Sequence, residues 1–184
     1  MTTLLENLAA RAADEGLLDV AYARIETPLG EGLVAATKSG LVRVALPNER
    51  AEDVLEALSA GISPRVLEWP ARLDEARREL DEYFAGRREE FDLRLDWRLS
   101  HPGFYRRVLR ATARLHFGET ATYGDMAARA GSPRAFRAAG SALGSNPIPI
   151  VVPCHRVVRS GGDIGNYGGG PEMKRFLLEL EGAL

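Results

Sequence analysis

Cys154 is the one cysteine among 184 residues, and His155 and Arg156 follow it directly. A thiol flanked by cationic side chains can be held toward its nucleophilic thiolate form. Alone in the chain it forms no intramolecular disulfide, and its bland alternative is an inert core residue. The segment leading into it bears on that choice: Ser145-Asn146-Pro147-Ile148-Pro149-Ile150-Val151-Val152-Pro153. Pro147 and Pro149 forbid a regular helix and predict extended chain. Ile150-Val151-Val152 is apolar enough to be buried. Pro153 then breaks the run, so Cys154 falls where buried chain gives way to polar chain, which predicts a partly accessible thiol. Neighbours in an extended chain point to opposite sides. His155 therefore serves Cys154 as a base only through a bridging water or a sharp turn. A histidine base also needs a partner to fix its tautomer, commonly a carboxylate. Asp163, Glu172, Glu179 and Glu181 lie downstream, and spacing alone does not choose among them.

Beyond the cysteine, residues 160–170 read Ser-Gly-Gly-Asp-Ile-Gly-Asn-Tyr-Gly-Gly-Gly. Glycines here either bring backbone groups close to a ligand or form a mobile connector. The run lacks the Lys-Ser/Thr ending of a phosphate loop and does not fit the dinucleotide fingerprint.

The elements that must position these residues fall into two halves. Residues 2–15 place Leu4, Leu5, Leu8 and Ala12 at helical spacing. Short apolar segments at 20–25, 33–36 and 41–46 are separated by Thr27-Pro28-Leu29-Gly30 and Lys38-Ser39-Gly40, which predicts an antiparallel meander. Helices are expected over 52–58 and 71–84. The latter buries Leu73, Ala76, Leu80, Tyr83 and Phe84 and stops at Gly86. Phe91, Leu93, Leu95 and Trp97 alternate with polar residues as in a half-buried strand. After a join at 99–103, helices are expected over 104–116, 123–129, 133–143 and 171–181. Ser132 is a good N-cap and Pro133 a good first residue for the third. In the last, Met173, Phe176, Leu177 and Leu180 face inward. The pair around Ala130-Gly131-Ser132 has a helix-turn-helix pattern. Its second helix carries Arg134 and Arg137 among small residues, which suit close approach to a groove or merely tight packing. The expected fold class is α/β (α+β): an N-terminal α+β domain with an antiparallel sheet over 1–97, then a mostly helical domain over 98–184 containing the helix-turn-helix.

Charge follows the same division. Residues 1–97 hold 12 Lys and Arg against 20 Asp and Glu, whereas residues 98–184 hold 12 against 6. An overall charge of −2 hides a basic second half suited to a polyanion. Two soluble domains of unlike composition would give the same numbers. Three scattered histidines and one cysteine supply no zinc framework, so no metal is expected. No apolar run is long enough to span a membrane. The N-terminus has neither a basic region nor an apolar signal core, so a cytoplasmic location is expected.

Pro153-Cys154-His155-Arg156-Val157 resembles the active-site signature of the O6-alkylguanine-DNA alkyltransferases. The likeness extends to Gly118-Glu119-Thr120, Tyr123-Gly124, the helix beginning near Ser132, Asn146-Pro147, Gly165-Asn166-Tyr167 and Glu181-Gly182. It is weaker in the first half, at Thr27-Pro28-Leu29-Gly30 and Gly40-Leu41. The resemblance implies direct-reversal repair. An alkyl group leaves the O6 of guanine in double-stranded DNA, with O4-alkylthymine a further candidate lesion, and stays on Cys154 in a single turnover after base flipping. It implies that His155 deprotonates Cys154 through a water and that Glu181 orients His155. Asn146 would brace the turn, and Tyr123 would help rotate the nucleotide and protonate the leaving guanine. Arg137 would fill the gap in the base stack. Gly124, Ser132 and Ser160 match DNA-contacting positions, and Leu143, Val157, Tyr167 and Gly168 the substrate pocket. Minor-groove binding by a monomer without cofactor is also implied.

Some positions depart from the family's habit. Gly168 stands where Ser is common, although its backbone N–H remains available for guanine O6. Tyr105, Leu109 and His116-Phe117 differ on the packing side. Three rival readings meet obstacles. Alkyltransferase-like lesion sensors usually carry Trp in place of the cysteine. A transcriptional regulator needs a further effector domain for which 184 residues leave no room. A cysteine hydrolase needs a separate upstream histidine near a nucleophile helix.

Overall fold

The computed structural model describes residues 4–161 and 163–184. Thr2 and Thr3 of the first expected helix, and Gly162 of the Gly-rich loop, lie outside the described residues. The chain divides into two compact units, Met1–Tyr83 with Asp92–Leu99, and Phe84–Phe91 with Ser100–Leu184.

In the first unit the meander appears as β1 (Val20–Thr27), β2 (Gly30–Thr37) and β3 (Gly40–Ala45), paired antiparallel in sequence order. A bulge between Ala35 and Ala36 shifts the β2–β3 register. A three-residue strand not expected from the sequence, β4 (Val66–Glu68), adds parallel to β1, so the sheet is mixed and runs β3-β2-β1-β4. Three residues are too few to show a period. Val20, Leu33, Ala35, Val42 and Ala45 on the sheet pack with Val54 and Leu58. The last two lie on a helix that follows α1 (Leu4–Asp14), namely α2 (Ala51–Gly61). In α1 the expected apolar face is not the buried one: Leu4 and Leu8 are exposed and Ala9 is buried.

The helix expected from 71 splits. Pro70–Leu73 forms a 3₁₀ turn, and α3 runs from Asp74 to Phe84. Leu73, Ala76, Leu80 and Tyr83 are buried as their spacing predicts, and Gly86 follows at φ 67°. Residues 91–97 do not form the predicted strand. Leu41 N–H donates to Arg94 O and Asp96 N–H to Leu41 O, which makes a single bridge at Leu95. The alternation then ends at Asp96, buried with its carboxylate accepting from the Thr37 hydroxyl at 2.6 Å.

The second unit contains α4 (Phe104–Thr112), β5 (Ala121–Thr122), α5 (Tyr123–Arg129), α6 (Phe136–Gly144), β6 (Val157–Val158) and α7 (Gly170–Leu180). Three boundaries differ from expectation. First, α4 ends four residues early, because Arg114 and Leu115 N–H turn back to Ala111 and Thr112 carbonyls. Second, α6 starts at Phe136, not Pro133. Ala135 N–H closes a turn onto Ser132 O, and Ala135 itself (φ −91°, ψ 34°) is not helical. The turn of the helix-turn-helix is therefore longer than three residues. Third, α7 buries Lys174 and Leu178 along with Met173 and Leu177, while Phe176 and Leu180 are half-buried. The α+β class holds: a sheet-based first unit is followed by a helical second one.

Gly40 is the tightest point of the first unit. Its φ is 137°, and a Cβ there would meet the Arg94 carbonyl oxygen at 2.2 Å. Gly40→Ala is expected to destabilise the protein by more than about 1 kcal/mol, since both strain and a backbone clash oppose it. Urea unfolding would show a lower midpoint at unchanged slope.

Candidate functional site

Segment 146–156 is not extended, although its prolines predict that. It is a knot of turns. Val152 N–H donates to Ile148 O, Pro149 bridges Val152, and buried Ile150 is held at φ 74°. A β-branched residue at positive φ is strained and persists only when its surroundings over-determine it. Asn146 supplies much of that determination. Its Oδ1 accepts from Ile148 N–H at 3.1 Å, and its Nδ2 donates to Val152 O at 2.8 Å. The same Nδ2 lies 3.1 Å from Cys154 Sγ. Cys154, His155 and Arg156 then form a 3₁₀ turn. Such a sharp turn was one of the two ways by which His155 could serve Cys154.

All three turn residues are buried, Cys154 at 8% exposure. The thiol is thus less accessible than the expected edge position implied. Burial pushes its pKa up from 9.0 to about 11, against the opposing pull of the Asn146 amide and the Lys174 charge. At neutral pH the thiol is protonated.

Glu181 resolves the choice of carboxylate that spacing left open. Its Oε1 lies 2.8 Å from His155 Nε2, and Arg156 binds both carboxylate oxygens, Nε to Oε2 at 2.8 Å and Nη2 to Oε1 at 2.9 Å. Oε2 also accepts from Gly118 N–H at 3.3 Å. A carboxylate only accepts, so Nε2 carries the imidazole proton. Burial lowers the His155 pKa, with Glu181 opposing, and the ring is neutral. Nδ1 is then the basic atom; it is buried and has no hydrogen-bond partner among the described residues.

Lys174 on α7 is fully buried, which its charge made unexpected. Its ammonium donates to Val157 O at 2.6 Å and to Asn166 O at 3.3 Å. Burial lowers its pKa to about 8. Its charge favours the Cys154 thiolate. No sequence signal short of knowing that α7 packs on β6 would have found it.

Strand β6 pairs parallel with β5, Ala121 with Val157 and Thr122 with Val158. This sets the start of α5 beside the cysteine turn. Thr122 and Asp125 cap α5 reciprocally: Asp125 N–H donates to Thr122 Oγ1 at 3.1 Å, and Thr122 N–H to Asp125 Oδ2 at 2.8 Å. Tyr123 is fixed as the first helical residue. Its ring lies against Gly140 of α6, and a side chain at Gly165 would meet its hydroxyl at 3.0 Å. Burial raises the Tyr123 pKa, so the phenol keeps its proton.

A cavity of about 930 Å³ opens over these groups. Cys154, Tyr123, Gly124, Arg137 and Ser160 line it, as do Leu143, Tyr167 and Gly168. Asn146, His155 and Glu181 stand behind Cys154 without lining it. Two expectations need correction. Val157 is fully buried in β6 with its carbonyl engaged by Lys174, and it does not line the cavity. Ser132 is half-buried in the turn before α6, where its N–H donates to Ala127 O, and it too lies off the cavity. Phe136 and Arg159 line the cavity and were not expected there from sequence. Phe136 was legible as a large ring among small residues between two arginines, and Arg159 as a third cation after the cysteine turn. Among the described residues no group of three or more His, Cys, Asp or Glu could hold a metal ion, and no helix is long and apolar enough to cross a membrane.

A helix-turn-helix joined to a cavity with a thiol backed by a His–Glu pair defines a class of protein: a nucleic-acid binder with a cysteine acceptor. Comparison with known proteins narrows it. Residues 103–183 match the family described as 6-O-methylguanine DNA methyltransferase, DNA binding domain, and residues 20–97 match its ribonuclease-like domain. A methylated-DNA–protein-cysteine methyltransferase from Mycobacterium tuberculosis is 39% identical over 163 residues, 87% of this chain and 91% of that protein. The constitutive one from Bacillus subtilis is 39% identical over 161 residues, 87% and 94%. The crystal structure of Mycobacterium tuberculosis OGT in complex with DNA superposes with a TM-score of 0.76 at 37% identity, covering 88% of this chain and 92% of that one. The O6-methylguanine-DNA methyltransferase from Pyrococcus kodakaraensis gives 0.59 at 25%, covering 89% and 99%. The chain belongs to the 6-O-methylguanine DNA methyltransferase family.

Removing the Lys174 charge should leave the thiol harder to ionise. Lys174→Met is expected to move Cys154 above about 11 and to slow its alkylation by iodoacetamide at every pH below that, in proportion to the thiolate lost. The pH–rate profile checks this, with a thermal melt to confirm folding. A profile superimposable on the wild type would refute the electrostatic role.

Proposed function

We propose that this protein repairs alkylated DNA by direct reversal, with Cys154 as the acceptor in a single-turnover methyltransferase reaction. The observation that carries the reading is Cys154 itself. It lines a cavity shared with Tyr123 and Arg137 and is backed by the His155–Glu181 pair. An O6-alkyl group inside a duplex offers no in-line approach to a buried thiol, so the guanine must leave the stack and enter the cavity. Arg137, exposed on α6, fills the vacated position and offsets part of the few kcal/mol that flipping costs.

In the cavity His155 Nδ1 takes the thiol proton through a bridging water, and Glu181 holds the imidazole to the tautomer that can do so. The Asn146 amide and the Lys174 charge favour the thiolate as it forms. Sγ then attacks the alkyl carbon. The new S–C bond forms as the C–O6 bond breaks, and its electron pair goes to the guanine. Guanine is a poor leaving group as an anion, so the Tyr123 phenol, kept protonated by burial, donates its proton to the departing base. The product thioether is chemically inert. No step regenerates Cys154, and no cofactor takes part. Leu143, Tyr167 and Gly168 bound the base, with Gly168 N–H as the donor for O6. Gly124, Ser160 and Ser132 contact the DNA backbone, and the small residues of α6 let the helix approach a minor groove. The protein acts on double-stranded DNA as a monomer, in the cytoplasm.

Incubation with a duplex carrying O6-methylguanine is expected to add about one methylene to the intact mass, localised to Cys154. Cys154→Ala should bind the duplex and gain nothing. Absence of a mass gain in the wild type would sink the acceptor role, and binding without gain would favour a lesion sensor.

Arg137 acts on the duplex and not on the isolated base. Arg137→Ala is expected to lower transfer from duplex DNA by at least about tenfold more than transfer from free O6-benzylguanine, in line with a few kcal/mol of flipping cost. Equal losses on the two substrates, measured as single-turnover rates, would contradict the gap-filling role.

A further inference from the structure

Phe136 has no part in the reaction just described. It is the first residue of α6, immediately before Arg137, and its side chain is 51% exposed. The other large hydrophobic side chains that stay exposed among the described residues are all leucines. A ring left in water forgoes the free energy that a core position would supply. It is therefore conspicuous where it stands, lining the cavity that Cys154 shares. The guanidinium carbon of Arg137 lies 5.7 Å from the ring centroid, a cation–π distance. The two side chains make a flat, cationic surface, and Gly140 and Gly144 of the same helix line the cavity beside it without adding bulk.

An apolar partner surface would match the ring and waste the charge. A nucleobase matches both, since its π-face stacks on aromatic and guanidinium planes while its phosphates meet a basic unit. The geometry points to Phe136 as a second wedge: its ring stacks on the base flanking the position emptied by flipping, while Arg137 fills the gap itself. This rests on the proposed function and extends it to a preference in sequence context. Stacking strength depends on the base, so a purine beside the lesion is held better than a pyrimidine. The loss of one stacked pair when the guanine leaves is thereby replaced on one side by a protein ring and on the other by a cation.

The test uses the full chain and four substrates. These are duplexes with O6-methylguanine flanked on either side by purines or by pyrimidines, the same duplexes without the lesion as binding controls, and free O6-benzylguanine. The wild type is expected to transfer faster from the purine-flanked duplex. Phe136→Ala should lower the duplex rate at limiting protein by roughly 5- to 100-fold, reduce the free-base rate less, and erase the flank preference. Phe136→Tyr should restore both rate and preference, which a merely structural role would not predict. A Phe136→Ala protein that matches the wild type on duplex, loses equally on both substrates, or keeps the flank preference overturns the wedge. Such outcomes leave Cys154 transfer itself intact. A wild type inert toward duplex and free base alike would bring down the proposed function, and the wedge with it.

Discussion

The second unit depends on one buried carboxylate. Glu181, at the end of α7, faces two nitrogens of Arg156, the imidazole of His155 and the Gly118 amide at once. Each partner belongs to a different requirement. Arg156 neutralises the charge that burial would otherwise make prohibitive, and it reaches on to Leu115 O. His155 is fixed in one tautomer. Gly118, at φ 73°, is so close to the Glu181 carbonyl that a Cβ there would stand 3.0 Å from it. Removing one partner of a buried pair costs on the order of 3–5 kcal/mol, because the other charge is left unpaired. The same contacts that hold the end of α7 to the 115–118 segment therefore set the protonation of the site.

That constraint explains why the thiol can be dry. A nucleophilic cysteine is usually activated by a lowered pKa in an electropositive, partly exposed setting. Here burial wins and Cys154 rises to about 11, so no standing thiolate is stored. Activation has to be supplied on demand by a base that is itself neutral. His155 is neutral because burial and the Arg156 charge outweigh Glu181. Lys174 sets the other limit. It favours the thiolate only while it is charged, and burial lowers it to about 8, so its help fades as rising pH begins to favour thiol ionisation. A site consumed in its first reaction gains from this arrangement, since a neutral buried thiol resists adventitious oxidation and alkylation before a lesion arrives.

Much of this was legible in the sequence, and the boundary between what was and was not is physical. Cys154, His155 and the flanking prolines announced a special site, because residue type and backbone restriction are local properties. The strands at 20–27, 30–37 and 40–45 followed from alternation broken by turn residues. The failures are long-range. Prolines forbid a helix but do not say whether the chain runs straight, and the Asn146 amide bends it into turns. Alternation over 91–97 predicts a strand but supplies no partner beyond Leu41. The α6 start moved because Ser132 caps a turn with its backbone, not a helix with its hydroxyl. Glu181 was one of four carboxylates by spacing; only packing of α7 chose it, and the same packing buried Lys174.

The division of labour between dry and wet chemistry follows from these placements. Groups that move protons, His155 and Glu181, are fully or nearly fully buried and touch only protein. Groups that meet a duplex, Phe136, Arg137 and Ser160, are exposed on the cavity rim, at the start of a helix and in a loop. Cys154 and Tyr123 lie between, lining the cavity yet anchored from behind by Asn146 and by the Thr122–Asp125 cap. Electrostatic preorganisation is strongest where water is excluded, whereas counterion release and stacking require contact with solvent and DNA. One continuous cavity wall passes from the first environment to the second within a helix and two turns. A base that leaves its stack at Phe136 and Arg137 thus has only to enter that cavity to exchange solvent for a site whose protons and charges are already in place.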